Sequence, residues 1–173
     1  MNFQRQVCRQ LDDEHRAHLA LLERVEELLA RTARAGTAQL GRAGAAPAGD
    51  ADAALLRRLD RELGHDVQRH FGFEEQSLFP RLVDNGDGGM AELLMQEHDV
   101  IREVAAELQP LTQAALAGTL DAGGWQTLAQ TALELVERQV SHIQKETMAL
   151  LPLLDDLLDD EADRELALAY AAG

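Results

Sequence analysis

Apolar residues recur at steps of three and four along four long stretches of the chain. The first stripe is Leu11, His15, His18, Leu22, Val25 and Leu29. The second is Leu59, Leu63, Val67, His70, Glu74 and Leu78. The third is Leu94, His98, Ile101, Ala105 and Leu108. The fourth is Leu128, Ala132, Leu135, Gln139, His142, Glu146, Leu150 and Leu153. Such steps place every member of a stripe on one face of a helix. Four long helices are predicted, each with one inward face. Histidines, two glutamates and Gln139 interrupt those otherwise apolar faces.

Breaker-rich stretches separate the helices at about 35–52, 84–89 and 118–124. Asp50 and Asp52 are expected to cap the second helix and Asp121 the fourth. Pro80 and Pro152 fall near the ends of the second and fourth helices. Pro110 lies inside the third pattern and is expected to kink or end that helix. A shorter stretch, about 159–171, reads as a terminal helix packed across the bundle or against a neighbour. Short second and third loops favour antiparallel neighbours. The fold class expected is all-α: an antiparallel up-down-up-down four-helix bundle with a short C-terminal helix. One metal-binding domain is expected over 1–173, with helical halves at about 4–83 and 90–154 and a linker at 35–52.

The two halves repeat. Glu14-His15 precedes His70-x-x-x-Glu74 and Leu78-Phe79-Pro80. Glu97-His98 precedes His142-x-x-x-Glu146 and Leu150-Leu151-Pro152. Residues i and i+4 share a helical face, so each His-x-x-x-Glu pair points to the bundle axis. His15 and His98 complete a ring at the same depth. If each metal takes two histidines, and both glutamates and one solvent oxygen bridge, each ion has five donors and one open position. Imidazole and carboxylate suit iron, and also manganese or zinc. Two inward carboxylates in an aliphatic core would repel and be poorly solvated without cations.

Two histidines stand apart. His65 lies off the inward face and is expected to be exposed. Glu62 and His65 form a Glu-x-x-His motif, but its di-iron use needs a second copy that the repeat does not offer. His18 lies one turn beyond His15, and its repeat equivalent is Ile101. It is expected either to approach a metal or a bound ligand, or to serve as a hydrogen-bonded core histidine.

Composition narrows the classes further. Hydrophobic residues form 46% of the 173-residue chain and aromatics only 3%, so the core is aliphatic. A formal charge of −15 argues against nucleic acid and anionic membrane surfaces as partners. The start of the chain lacks an apolar run of signal-peptide length, and no stretch is long enough to span a membrane. The single cysteine, Cys8, excludes an internal disulfide and fits a cytoplasmic protein. A buried helix cysteine is expected there rather than a redox thiol.

The motifs His15, His70-Phe71-Gly72-Phe73-Glu74-Glu75, Glu97-His98-Asp99 and His142-Ile143-Gln144-Lys145-Glu146 together resemble the hemerythrin-like, His-His-Glu cation-binding family. The resemblance covers nearly the whole chain. It implies a bundle enclosing a non-haem di-iron centre. His15, His70, His98 and His142 would be the terminal ligands, and Glu74 and Glu146 the bridges. The oxygen-carrying members look for a His-x-x-x-His pair on the third helix and an aspartate ligand. Here Arg102 stands four beyond His98, and the second carboxylate is Glu146, which puts reversible oxygen carriage in question.

Three functions compete on this reading. The first is a stand-alone domain that binds oxygen or nitric oxide, or senses iron or redox state. The second is a di-iron enzyme acting on peroxide or nitric oxide. The third is metal storage or a structural zinc site. No obvious general acid or nucleophile accompanies the ring, and Tyr170 lies far off in sequence, which favours binding over catalysis. A homodimer through the C-terminal stretch is a further expectation.

Overall fold

A computed structural model of the chain describes residues 3–35 and 49–172. These residues form five helices and no strand. Helix α1 is Gln6–Ala35. Helix α2 runs continuously over 50–85 and α3 over Gly88–Leu116. Helix α4 runs over 122–157, and α5 is Asp160–Ala172. Helix α1 packs on α2 and α4, and α3 packs on the same two, so the four long helices form a ring. Helix α5 lies against the start of α1. Most of the linker expected at 35–52 lies outside the described residues.

Turn chemistry explains the ends. Helix α2 stops at Gly86, whose φ of 96° only glycine adopts without strain. Asp87 N–H then bonds back to Leu82 O at 2.8 Å, closing the last turn. Gly118, with φ of 68°, ends α3 in the same way through Thr119 N–H to Ala114 O at 2.9 Å. Asp121 caps α4 as expected, accepting from Gly124 N–H at 2.7 Å.

Two local expectations need correction. Helix α2 begins at Asp50 after Gly49 and has no side-chain cap. Asp50 and Asp52 sit inside its first turn, where their charge favours the positive end of the helix dipole. Helix α3 does not end at Pro110 but continues to Leu116. Packing against α2 and α4 outweighs the one backbone bond that proline cannot make.

Helices α2 and α4 each contain a wide turn at the inward glutamate. Phe79 N–H bonds to Glu74 O, and Leu151 N–H bonds to Glu146 O, five residues back instead of four. One residue after each wide turn comes a proline, Pro80 or Pro152. A proline ring collides with the carbonyl four residues before it in a regular helix. Widening that turn relieves the collision. A third wide turn spans Glu62–Asp66, closed by Val67 N–H to Glu62 O.

The buried apolar side chains form two clusters with the polar ring between them. One contains Leu21, Val25, Leu59, Val67, Ile101, Leu108 and Trp125. The other contains Val7, Cys8, Leu11, Leu78, Phe79, Leu150 and Tyr170. Cys8 is fully buried, and burial with nearby Asp155 and Asp163 pushes its thiol up to about 12. No described helix is long and apolar enough to cross a membrane.

The N-terminus of α1 is capped from the other end of the chain. Asp155 accepts from Gln4 N–H at 3.0 Å and Arg5 N–H at 2.7 Å. Asp163 of α5 accepts from Gln6 N–H at 2.8 Å and Val7 N–H at 2.9 Å. Asp163→Ala should therefore destabilise the metal-free protein by about 2 kcal/mol, the scale of losing charge-assisted bonds to buried amides. Urea unfolding measures this. An unchanged midpoint would show that α5 does not support α1.

Candidate metal centre

One side chain from each of α1 and α3, and two from each of α2 and α4, meet between the apolar clusters. His15, His70, Glu74 and Glu146 form one group of converging donor atoms. Glu74, His98, His142 and Glu146 form a second. All six side chains are buried, and both glutamates are wholly so. The two groups share Glu74 and Glu146, as a binuclear metal site requires.

The carboxylates divide their oxygens between the groups. Glu74 presents Oε1 to His70 Nε2 and Oε2 to His98 Nε2, both at 3.3 Å. Glu146 presents Oε2 to His15 Nε2 at 3.2 Å and Oε1 to His142 Nε2 at 3.0 Å. Within the pairs, His15 Nε2 lies 3.4 Å from His70 Nε2, and His98 Nε2 lies 3.1 Å from His142 Nε2.

The outward nitrogen of each ring is held separately. His70 Nδ1 meets Tyr170 Oη at 3.0 Å and Glu14 at 3.3 Å. His98 Nδ1 meets Glu75 at 2.8 Å, and His142 Nδ1 meets Glu97 at 3.0 Å. His15 Nδ1 meets Thr147 Oγ1 at 3.1 Å. Each of the three outer carboxylates also carries a cation: Arg69 on Glu14 at 2.8 Å, Arg102 on Glu75 at 2.8 Å, Lys145 on Glu97 at 2.7 Å. A carboxylate can only accept, so it fixes the proton on Nδ1 and turns the Nε2 lone pair inward. Phe71 stacks on the His98 ring at 3.7 Å and holds its plane.

Those tautomers decide how the centre is satisfied. All four oxygens of Glu74 and Glu146 are buried without a hydrogen-bond donor, although imidazole nitrogens lie close by. A singly protonated ring has already committed its N–H outward, so lone pairs face lone pairs. Only positive charge between them resolves this. Protons can supply some of it. Burial disfavours charge on His70, His98 and His142, yet the facing carboxylates raise all three, His98 to about 9. Glu146 is held well below the usual carboxylate range against its own burial, chiefly by His142. Glu74 is lowered too, against burial and the Glu146 charge, by His70 and His98. Protons cannot occupy both nitrogens of a pair 3.1 Å apart without like-charge repulsion. Two metal ions, each shared by two nitrogens and two oxygens, fit the donor set.

Residues 7–154 match the family described as the Hemerythrin HHE cation binding domain. The chain belongs to this family. No curated protein sequence matches it. Helix α5 lies beyond the hemerythrin match, yet Tyr170 reaches the site from it.

His65 is exposed and outside both donor groups, so the Glu-x-x-His motif does not enter the centre. Its glutamate is used otherwise: Glu62 bonds Nδ1 of His18. His18 is buried and lies outside both donor groups. Tyr170, set aside on sequence distance, contacts both His70 and Glu14. The outer groups Glu14, Glu75, Glu97 and Thr147 were also not singled out as site residues. The repeat carried the signal, since a glutamate precedes His15 and His98 alike, and Glu75 and Thr147 each follow an inward glutamate.

Binding should release protons. His98 in the metal-free chain stays protonated up to about pH 9, and a coordinated nitrogen cannot keep its proton. Loading two divalent ions at about pH 7.5 should liberate at least about one proton per chain, with affinity rising as pH rises toward 9. Calorimetry in buffers of different ionisation heat measures the count. Zero release would contradict the protonation assigned to the empty ring.

Proposed function

We propose that this protein binds a non-haem di-iron centre, bridged by an oxo or hydroxo group, and uses it to bind oxygen or nitric oxide or to sense iron or redox state. His15 and His70 would hold one ion, and His98 and His142 the other. Glu74 and Glu146 would bridge them. The observation that carries this reading is the division of each buried carboxylate between the two histidine pairs.

When bound, two irons would supply a reversible change of oxidation state and an open position for a small ligand. The chain's own residues do the rest. The Glu14, Glu75 and Glu97 carboxylates make three imidazoles better donors by accepting from Nδ1–H. Arg69, Arg102 and Lys145 offset the charge of those carboxylates. The apolar clusters on either side exclude water. Sulfur ligands are absent from the two donor groups, which disfavours a purely structural thiolate zinc site.

Metal analysis of aerobically purified protein, read with its absorption spectrum, tests the reading. About two irons per chain with oxo-bridge charge-transfer bands are expected. Glu74→Ala and Glu146→Ala should each fall well below that occupancy, and His65→Ala should not change it. Zinc alone, or full iron occupancy in both glutamate variants, would overturn the assignment.

A further inference from the structure

The outward faces of α3 and α4 depart from the polar surface that a bundle helix normally turns to water. On α3, Met90, Leu93, Glu97, Val100, Glu103 and Glu107 follow one another at steps of three and four, so they share a face. On α4, Leu133, Glu137, Ser141 and Met148 form the matching stripe. Leu133 is 46% exposed, Leu93 48% and Met148 70%.

Two adjoining cavities make one groove along this face. The first, about 740 Å³, is lined by Leu93, Val100, Leu133 and Glu137 among others. The second, about 480 Å³, is lined by Met90, Leu93 and Met148. They share Leu93, Ser141 and Lys145. The stretch from Leu133 to Met148 is roughly 22 Å long at 1.5 Å per residue, room for about four turns of a docked helix. A trough between two helices with apolar side chains along it takes an amphipathic helix by its apolar face. The charge of the groove says which kind. Its cations are already engaged, Arg138 with Glu134 and Lys145 with Glu97, both at 2.7 Å. Glu137 inside the groove, and Glu103 and Glu107 beyond Val100, are exposed and leave an excess of negative charge. A second copy would bring the same formal charge of −15 against this face. A helix with Lys and Arg beside its apolar stripe complements it.

One residue joins the groove to the metal centre. Glu97 lines the groove, accepts from Lys145 Nζ at 2.7 Å with Oε1, and accepts from His142 Nδ1–H at 3.0 Å with Oε2. We infer that the α3–α4 groove docks a basic amphipathic helix of another protein, and that Glu97 couples this docking to the occupancy of the centre. A cation on His142 Nε2 makes Nδ1–H a stronger donor and draws the Glu97 charge inward. Lys145 is then less well neutralised at the groove wall and repels a basic helix. Empty and filled centres thus offer the partner different faces. The docking stands on the groove itself, and the coupling rests on the di-iron reading above.

A fluorescent peptide of about 18 leucine and lysine residues, with its leucines on one helical face, is the probe. Anisotropy titration against the full chain, metal-free and iron-loaded, follows its binding. Leu93→Ser and Leu133→Ser should keep the thermal midpoint and each weaken binding about fivefold, the scale of withdrawing half a leucine side chain from an interface. Leu168→Ser, on the exposed side of α5, should change nothing. A peptide of the same composition with its leucines spread around the helix should bind at least about tenfold more weakly. Iron loading should weaken binding about fivefold, the lower end of ordinary coupling between sites, and Lys145→Met should abolish that difference. Equal binding of the two peptides, or unchanged affinity in both groove variants, would overturn the docking face. A dimer of the free chain that Leu133→Ser dissociates would give the face to a second copy and overturn it as well. Equal affinity with and without two bound irons would overturn the coupling alone. A wild-type chain that takes up no iron would overturn the centre and the coupling with it, and the metal-free titration would still decide the docking.

Discussion

Two carboxylates with no exposure, Glu74 and Glu146, face each other across the middle of an aliphatic bundle. Everything around them follows from the need for positive charge at that point. An uncompensated buried carboxylate costs far more than any single packing contact returns. The surrounding rings supply that charge only in part, because two protons cannot share a pair of nitrogens 3.4 or 3.1 Å apart without repulsion. Arg69, Arg102 and Lys145 lie one layer further out, on Glu14, Glu75 and Glu97. The bundle is thus arranged in shells of alternating sign around a centre that only cations complete. Cations bound there would add to the stability of the fold through this arrangement.

The shells follow the internal repeat, with one difference between the two kinds of support. Glu14 supports His70 and Glu97 supports His142, each within its own half of the chain. Glu75 supports His98 and Thr147 supports His15, each across the halves. The cross-supports lock one half to the other, so the ring is a joint of the fold as well as a site. The symmetry is incomplete in a consequential way. His98 leans on a carboxylate and His15 on a neutral hydroxyl, so two bound metals would receive unequal electron donation. The His15 side is also where a small cavity opens.

Much of this was legible in the sequence because helical periodicity and metal chemistry select the same positions. A stripe that steps by three and four fixes which residues face inward, and His-x-x-x-Glu needs no tertiary information to place both groups on one face. What stayed hidden was whatever depends on contacts between distant segments. Tyr170 lies 100 residues from His70, and no local pattern ties them. Glu62 looked like half of an unfinished motif because its use, holding His18, depends on a bundle crossing. Pro110 misled in the opposite sense: local propensity predicts a break, and packing of α3 against two neighbours carries the helix through.

Helix α5 completes the structural logic. It adds Leu166 and Ala167 to the apolar cluster beneath the ring and sets Asp163 under the first turn of α1. It also presents Tyr170, whose hydroxyl bonds Glu14 and lies 3.0 Å from His70 Nδ1. Arg69 binds Glu14 and sits over the tyrosine ring at 4.8 Å. One residue of α5 thereby holds α1, and another helps fix the orientation of a ring on α2. A disturbance of α5 would loosen the start of α1, which leads about three turns later to His18 and the cavity wall. The last helix is therefore mechanically continuous with the wall of the histidine ring.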